Sequence, residues 1–309
     1  MKKILVFGSN GLVGKSLRRL LSKKFNQEYL FFSTREDTNL FSLEETKSTI
    51  DMFKPDVLIN AAAKVGGIYA NNTNRTEFLI ENLKINLNIL ESIISHKNTL
   101  VINLGSSCIY PLNANNPITE NSIMTGVLEP TNSPYAMAKL TSIELANSLH
   151  TQFGHKVINL MPTNLYGPED NFSEMESHVI PGLIFKMHMA KLNNTSSFSI
   201  WGTGKPKREF MHVDDLAEAI YFLIENNIET SLINIGTGEE VTIKELAEKI
   251  KNIIGFKGDL VFDENMPDGN PRKLLDSSLI KSFGWKPKIN LETGLEVTYN
   301  WFLKNTAKN

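Results

Sequence analysis

The sequence predicts an α/β protein, a doubly wound parallel sheet accompanied by a smaller α/β region. Three observations carry this. Short Val-, Ile- and Leu-rich runs alternate with longer segments of helical spacing through the first half of the chain, the pattern of strands buried on both faces. A glycine-rich turn joins the first run to the first helical segment. Beyond residue 168 the alternation fades into shorter, mixed elements, with one apolar run that suits a return to the main sheet.

Taken in order, the candidate strands are "KILVF" (3–7), "YLFF" (29–32), "VLIN" (57–60), "LVINLG" (100–105) and "KVINLM" (156–161). Helical spacing fills the intervals at 12–24, 43–53, 75–95 and 135–153. A βαβ series of this kind presents ligands at the carboxyl ends of its strands. After "PTNLYGP" (162–168) comes a loop with Glu169, Asp170, Glu174 and Glu176, then a helix near 179–192 and the stretch "FSIWG". "HVDDLAEAIYFLIEN" reads as a helix, with Asp214 and Asp215 placed favourably near its N-terminus. "LINIGTG" (232–238) is the strand that returns to the main sheet. The tail holds a helix near 242–253, a strand near 259–262, the polar stretch "DENMPDGNPRK" and a closing helix, "LETGLEVTYNWFLKN".

Composition narrows the function classes. The 309 residues are 41% hydrophobic and 21% charged, ordinary for a soluble globular protein. A formal charge of −2 gives no global reason to bind nucleic acid or an anionic membrane. One cysteine cannot form an internal disulfide, which suits a reducing compartment. "MKKILVFGSNGLVG" resembles a signal peptide at its start, but glycines and Asn10 break the apolar run early. No stretch approaches the roughly 20 apolar residues that span a bilayer. A soluble, cytoplasmic protein is expected, and no metal site.

"GSNGLVG" comprises Gly8, Ser9, Asn10, Gly11, Leu12, Val13 and Gly14, placed after the first strand and at the start of the first helix. A tight turn that lets a pyrophosphate approach the backbone needs residues without a Cβ, and the helix N-terminus offers unpaired N–H groups. This is a dinucleotide loop, and it makes the sheet Rossmann-type. An acid at the end of the second strand suits NAD, and a nearby arginine suits the 2′-phosphate of NADP. Here Arg35 precedes Glu36 and Asp37, so NADP(H) is expected. The chain then divides into an NADP-binding domain, 1–165 plus about 213–238, and a substrate-binding domain, about 166–212 plus 239–309.

Tyr135 and Lys139 in "SPYAMAKL" lie one helical turn apart on one face. An ammonium beside a phenol favours its ionised form and eases proton transfer. Ser106, at the end of the preceding strand, brings a hydroxyl to the same cleft. Cys108, two residues later, reads on its own as a small buried hydrophobe.

The glycine loop, serine and tyrosine–lysine pair together resemble the extended short-chain dehydrogenase/reductase superfamily. The blocks "AAAKVGGIYANN", "GSSCIYP", "LEPTNSPYAMAK", "MPTNLYGPEDNF", "SHVIPGL", "REFMHVDD" and "PDGNPRKLLD" sharpen this to a resemblance to the GDP-L-fucose synthase family. The resemblance runs from the first strand to the last helix. It implies C3/C5 epimerisation of a GDP-4-keto-6-deoxy-mannose-type sugar followed by NADPH-dependent reduction at C4. It assigns proton exchange to Cys108 and His178, and reduction to Ser106, Tyr135 and Lys139. It puts Leu104, Gly105, Ser106, Lys139, Pro162, Thr163, Asn164, Leu165 and His178 beside the cofactor. Lys186, Trp201, Arg208, Asp268 and Lys273 would hold the GDP-sugar, and a homodimer would form through 75–95 and 135–153. Two departures stand out. Lys186 replaces an arginine, keeping charge but losing bidentate geometry. Asn10 stands where the loop can carry an arginine, leaving more of the NADP preference to Arg35. Two rivals remain at this level: a C4 reductase without epimerisation, acting on a related GDP-4-keto sugar such as a heptose, and a non-catalytic nucleotide-binding protein. The intact Ser106, Tyr135 and Lys139 weigh against the second.

Overall fold

In the computed structural model, residues 1–173, 177–266 and 268–306 are described; Glu174, Glu176 and Pro267 from the stretches above lie outside them. Six strands form the main sheet: β1 (Ile4–Phe7), β2 (Leu30–Ser33), β3 (Val57–Asn60), β4 (Leu100–Leu104), β5 (Val157–Pro162) and β9 (Leu232–Ile235). Their order is β2-β1-β3-β4-β5-β9, and every pairing is parallel. The chain reverses its direction of travel across the sheet between β1 and β3, so the crevice above those strands is the expected ligand site of such a sheet.

Alternate side chains along each strand feed two cores. Ile4, Val6, Ile59, Ile102, Ile158 and Ile233 face α1 (Leu12–Lys24) and α7 (Val213–Glu225) on one side. Leu5, Phe7, Leu58, Val101 and Val157 face α2 (Leu43–Phe53), α4 (Arg75–Ser92) and α5 (Ser133–Phe153) on the other. This two-sided burial is why the strands read as continuous apolar runs. Each side chain withdrawn from water contributes about 1.5–3 kcal/mol before the entropy of ordering is counted.

The late elements build around a third core. β6 (Asn164–Tyr166), β8 (Lys207–His212), β10 (Glu240–Thr242) and β12 (Arg272–Lys273) form one small mixed sheet, and β7 (Ser197–Trp201) pairs with β11 (Asp259–Asp263). α6 (Val179–Leu192), α8 (Ile243–Ile254) and α10 (Leu291–Asn305) pack Ile184, Met187, Ile250 and Phe302 against Phe198, Ile200 and Phe210 of these strands. α3 (Ile68–Thr73) and α9 (Ser278–Ser282) complete the helices among the described residues. None is long and apolar enough to cross a membrane.

The helices at 12–24, 43–53, 179–192 and 291–305 coincide with their sequence expectations. α5 begins at Ser133, two residues before the expected start, because Pro134 in the first turn needs no N–H partner there. β6, β8, β10 and β12 were not expected as strands: β6, β10 and β12 are short, β8 opens on charged residues, and all gain their pairing from tertiary contact.

Candidate active site

The loop from Gly8 to Gly14 closes tightly. Gly8 has φ +77, and a Cβ there would lie 2.5 Å from the Ala62 amide nitrogen in the loop after β3. A Cβ on Gly14 would meet the Gly8 carbonyl oxygen at 2.3 Å. Gly11 is the N-cap of α1 and no side chain caps that end, so the first-turn N–H groups at Leu12, Val13 and Gly14 have no capping acceptor and suit a pyrophosphate. Ser9 points inward, its hydroxyl donating to the Ser33 carbonyl at 2.9 Å. Asn10 and Arg35 are exposed. Arg18 is an unexpected addition: its guanidinium lies 4.8 Å from the Phe32 ring centroid and reaches the Ser9 hydroxyl at 3.4 Å. These residues fit a dinucleotide.

After β4 the chain makes a 3₁₀ turn over Ser107–Ile109. Ile109 and Tyr110 are buried and anchor the turn, the Tyr110 phenol donating to Asn234 Oδ1 at 2.6 Å. Cys108 stays half-buried. The Ser106 hydroxyl accepts from the Cys108 N–H at 3.2 Å, which leaves its own proton for another acceptor. A Cβ on Gly105 would fall 2.0 Å from the Met161 methyl, so that side chain would have to shift to admit one.

α5 brings the other half. Lys139 is 2% exposed, and its ammonium donates to the Leu104 carbonyl at 2.6 Å. Burial lowers it to about 8. The ammonium also lies 5.8 Å from the Tyr135 ring centroid, and Phe78 meets that ring edge-on at 6.4 Å. The Tyr135 phenol departs from the sequence expectation. Burial raises it, negative charge on Cys108 raises it further, and the hydrogen bond with Ser106 works the other way. Lys139 is turned to the backbone rather than to the phenolic oxygen, so desolvation decides the direction. Asn132, at the start of α5, makes no capping bond. Its amide N–H₂ lies 3.7 Å from the Cys108 sulfur, and its Oδ1 is buried without a partner.

Lys273 completes this group, its ammonium 3.5 Å from the same sulfur. It arrives on β12, paired with Arg208 of β8. Arg208 is lowered by burial, against the opposing charges of Asp268 and Cys108. Asp268 accepts from the Thr203 N–H at 2.7 Å and hydroxyl at 2.8 Å. Lys186 lies 5.4 Å from the ring centroid of exposed Trp201. His178 is the N-cap of α6, two turns before Lys186 on that element, and desolvation lowers its imidazole. Asn132 and Lys273 therefore meet the sulfur, and Ser106 accepts from the Cys108 N–H. His178, Lys186 and Trp201 form no hydrogen bond to that group among the described residues.

Beyond Pro162 and ahead of Leu165, the Thr163 hydroxyl and the Asn164 amide both donate to the Glu209 carbonyl, at 3.0 and 2.8 Å. Glu209 itself is fully buried, its carboxylate accepting from the N–H groups of Gly238 at 2.7 Å and Leu275 at 3.1 Å. Burial raises this carboxyl while those bonds hold it down. It ties β8 to the loop after β9 and to the segment that follows Lys273. Arg18 lies in none of the quoted blocks, and Asn132 and Glu209 lie inside "LEPTNSPYAMAK" and "REFMHVDD" without being singled out, because only the packed structure shows what they touch.

Residues 4–236 match the model of the NAD dependent epimerase/dehydratase family. The chain is 47% identical over 306 residues to GDP-L-fucose synthase 1 of Arabidopsis thaliana, covering 99% of this chain and 94% of that protein. The chain belongs to the GDP-L-fucose synthase group of that family. Further members bracket it. GDP-L-fucose synthase of Escherichia coli (strain K12) is 42% identical, with 98% of this chain and 97% of that protein covered. Among solved structures, MlghC, a GDP-mannoheptose C4 reductase from Campylobacter jejuni with NADP bound, is 34% identical with a TM-score of 0.87, covering 98% of both chains. The glycine loop and the α5 pair lie at the carboxyl ends of the parallel strands.

Proposed function

We propose that this chain epimerises C3 and C5 of a GDP-4-keto-6-deoxy-mannose-type sugar and reduces its C4 ketone with NADPH, giving GDP-L-fucose or a close relative. The observation that carries the reading is Cys108: a half-buried thiol, touched by Lys273 and Asn132, two residues from Ser106 and coupled to Tyr135.

A C4 ketone acidifies the protons on its neighbouring carbons. Cys108 accepts such a proton; the C–H bond breaks and its electron pair moves into an enolate. Ser106 and Tyr135 donate hydrogen bonds to the enolate oxygen, the preorganised stabilisation that makes such an intermediate accessible. His178, in its protonated form, returns a proton to the opposite face; exchange with solvent then restores the thiolate and the imidazolium, and the same exchange serves the second carbon. When bound, NADPH supplies the hydride that reduces C4. Tyr135 then gives its proton to the developing alkoxide. Burial raises the phenol, which keeps that proton in place until reduction needs it. Lys139 holds the strand end through the Leu104 carbonyl and supplies positive charge near the phenol ring. Arg208 and Lys186 suit a diphosphate, and Trp201 offers a flat surface to the ligand.

The remaining assignments follow the same line. NADP rather than NAD is favoured by Arg35 and Arg18 beside a second strand that ends in Ser33 without an acid. The main sheet with 1–165 and about 213–238 carries the cofactor, and the rest of the chain the GDP-sugar. Exposed Ile80, Leu87 and Ile94 recur every seven residues along α4 and the turn after it, beside exposed Met137 on α5, an apolar stripe that suits a second copy. A lone thiol and the lack of a spanning helix among the described residues fit the cytoplasm.

Likeness to a C4 reductase favours a second reading, reduction without epimerisation. Turnover of GDP-4-keto-6-deoxy-D-mannose with NADPH in deuterated water separates the two. Deuterium at C3 and C5 of the product is the expected result; a reduced product with neither carbon labelled would establish the plain reductase.

A further inference from the structure

We propose that Lys273 is a positioning residue for Cys108: its ammonium holds the sulfur as the anionic proton acceptor, a role separate from binding the GDP-sugar. Lys273 meets the sulfur at 3.5 Å from one side, and the Asn132 amide meets it at 3.7 Å. A cation in contact with a thiol favours the thiolate, the form that accepts protons. Among the described residues the Lys273 ammonium forms no ion pair with a carboxylate, so its charge is not spent elsewhere.

The segment that carries Lys273 is fixed before any ligand arrives. The Leu274 N–H donates to Asn116 Oδ1 at 2.7 Å, and the Leu275 N–H donates to the buried Glu209 carboxylate at 3.1 Å. The Ile118 N–H donates to the Leu274 carbonyl at 2.8 Å, and the Asp276 N–H donates to the Ile118 carbonyl at 2.8 Å. β12 pairs Lys273 with Arg208 across β8. Glu209, next to Arg208 on β8, thus sets the register of the lysine that serves the thiol. Arg208 and Lys186 remain the cations for a diphosphate. The charged and titratable groups that face Cys108 are Lys273 from β12, Arg208 from β8 and Tyr135 from α5. Of these charged and titratable groups, Lys273 is the one that meets the sulfur.

The consequence for catalysis rests on the epimerase reading above, but the thiol chemistry can be read without any sugar. Cys108 is the only cysteine in the chain, so iodoacetamide reports it alone. Alkylation rates and the thiolate ultraviolet band are followed from pH 6 to 9 (roughly the range over which thiols titrate) for wild type, Lys273→Met, Lys273→Gln and Lys273→Arg. In Lys273→Met, alkylation at neutral pH falls about tenfold and both profiles move to higher pH. Lys273→Arg retains most of the wild-type behaviour, and Lys273→Gln takes the place of the Met variant should that one fail to fold. Under turnover, exchange of ring protons falls in kcat with little change in KM. Superimposable thiol profiles in wild type and the neutral variants overturn the proposal, as does a raised KM with thiol reactivity intact. A wild type that turns over no GDP-4-keto sugar would sink the epimerase reading, while the alkylation profiles would still decide the role of Lys273.

Discussion

Lys139 keeps an ammonium at 2% exposure with one carbonyl partner, and the cofactor-free protein bears the cost of that burial. Its value falls from 10.5 in the unfolded chain to about 8 in the folded one. The unfolded state therefore binds more protons, and the cost of charging the buried amine is fully present below pH 8 and relieved as pH rises toward 10.5. Measured against Lys139→Met, the cofactor-free wild type should gain about 2–3 kcal/mol of unfolding free energy between pH 7 and pH 10. Urea unfolding of both proteins at the two pH values checks it; a difference that stays flat would show that the amine is solvated. Tyr135, one turn away, illustrates how far the residue scale was legible. Its partnership with Lys139 and Ser106 could be named from spacing and order. The direction of its titration could not, because desolvation is a property of the packed site.

At the scale of elements, an amide ladder crosses the main sheet. Asn60, Asn103 and Asn159 occupy matching register positions on β3, β4 and β5. Asn60 donates to Asn103 at 2.9 Å, and Asn103 donates to Asn159 at 3.0 Å and to the Ser142 hydroxyl of α5 at 2.7 Å. Asn60 also reaches Asn86 of α4 at 3.0 Å, so the ladder pins α4 and α5 to the strands. Asn103→Leu keeps the branched shape but strands its buried partners, and should lower stability by roughly 2–4 kcal/mol in chemical denaturation. A loss under about 0.5 kcal/mol would mean that the neighbours re-pair. The recurring "VLIN", "LVIN" and "KVIN" display this ladder in the sequence, yet an asparagine ending an apolar run reads as a strand terminator until register is known. β8 was hidden for a related reason. Its Lys207, Arg208 and Glu209 break any alternation, and Glu209 is buried only because backbone N–H groups from two other segments converge on it.

On the scale of the whole molecule, the proposed site draws on both regions. The turn after β4 and α5 supply the hydroxyl, thiol, phenol and buried amine, and β8 and β12 supply Arg208 and Lys273; the proposal adds His178, the N-cap of α6. The strand–helix alternation and the glycine loop made the first set legible. The second depended on the family resemblance, since short polar strands announce neither their pairing nor their reach. The account holds that one cleft runs two separable chemistries, proton exchange through Cys108 and His178 and reduction through Tyr135. Tyr135→Phe tests this most directly, incubated with NADPH and GDP-4-keto-6-deoxy-D-mannose in deuterated water. The account predicts deuterium entering the sugar at C3 or C5 while NADPH absorbance stays constant. NADPH consumption at the wild-type rate, or a folded variant that exchanges no proton at all, would contradict it.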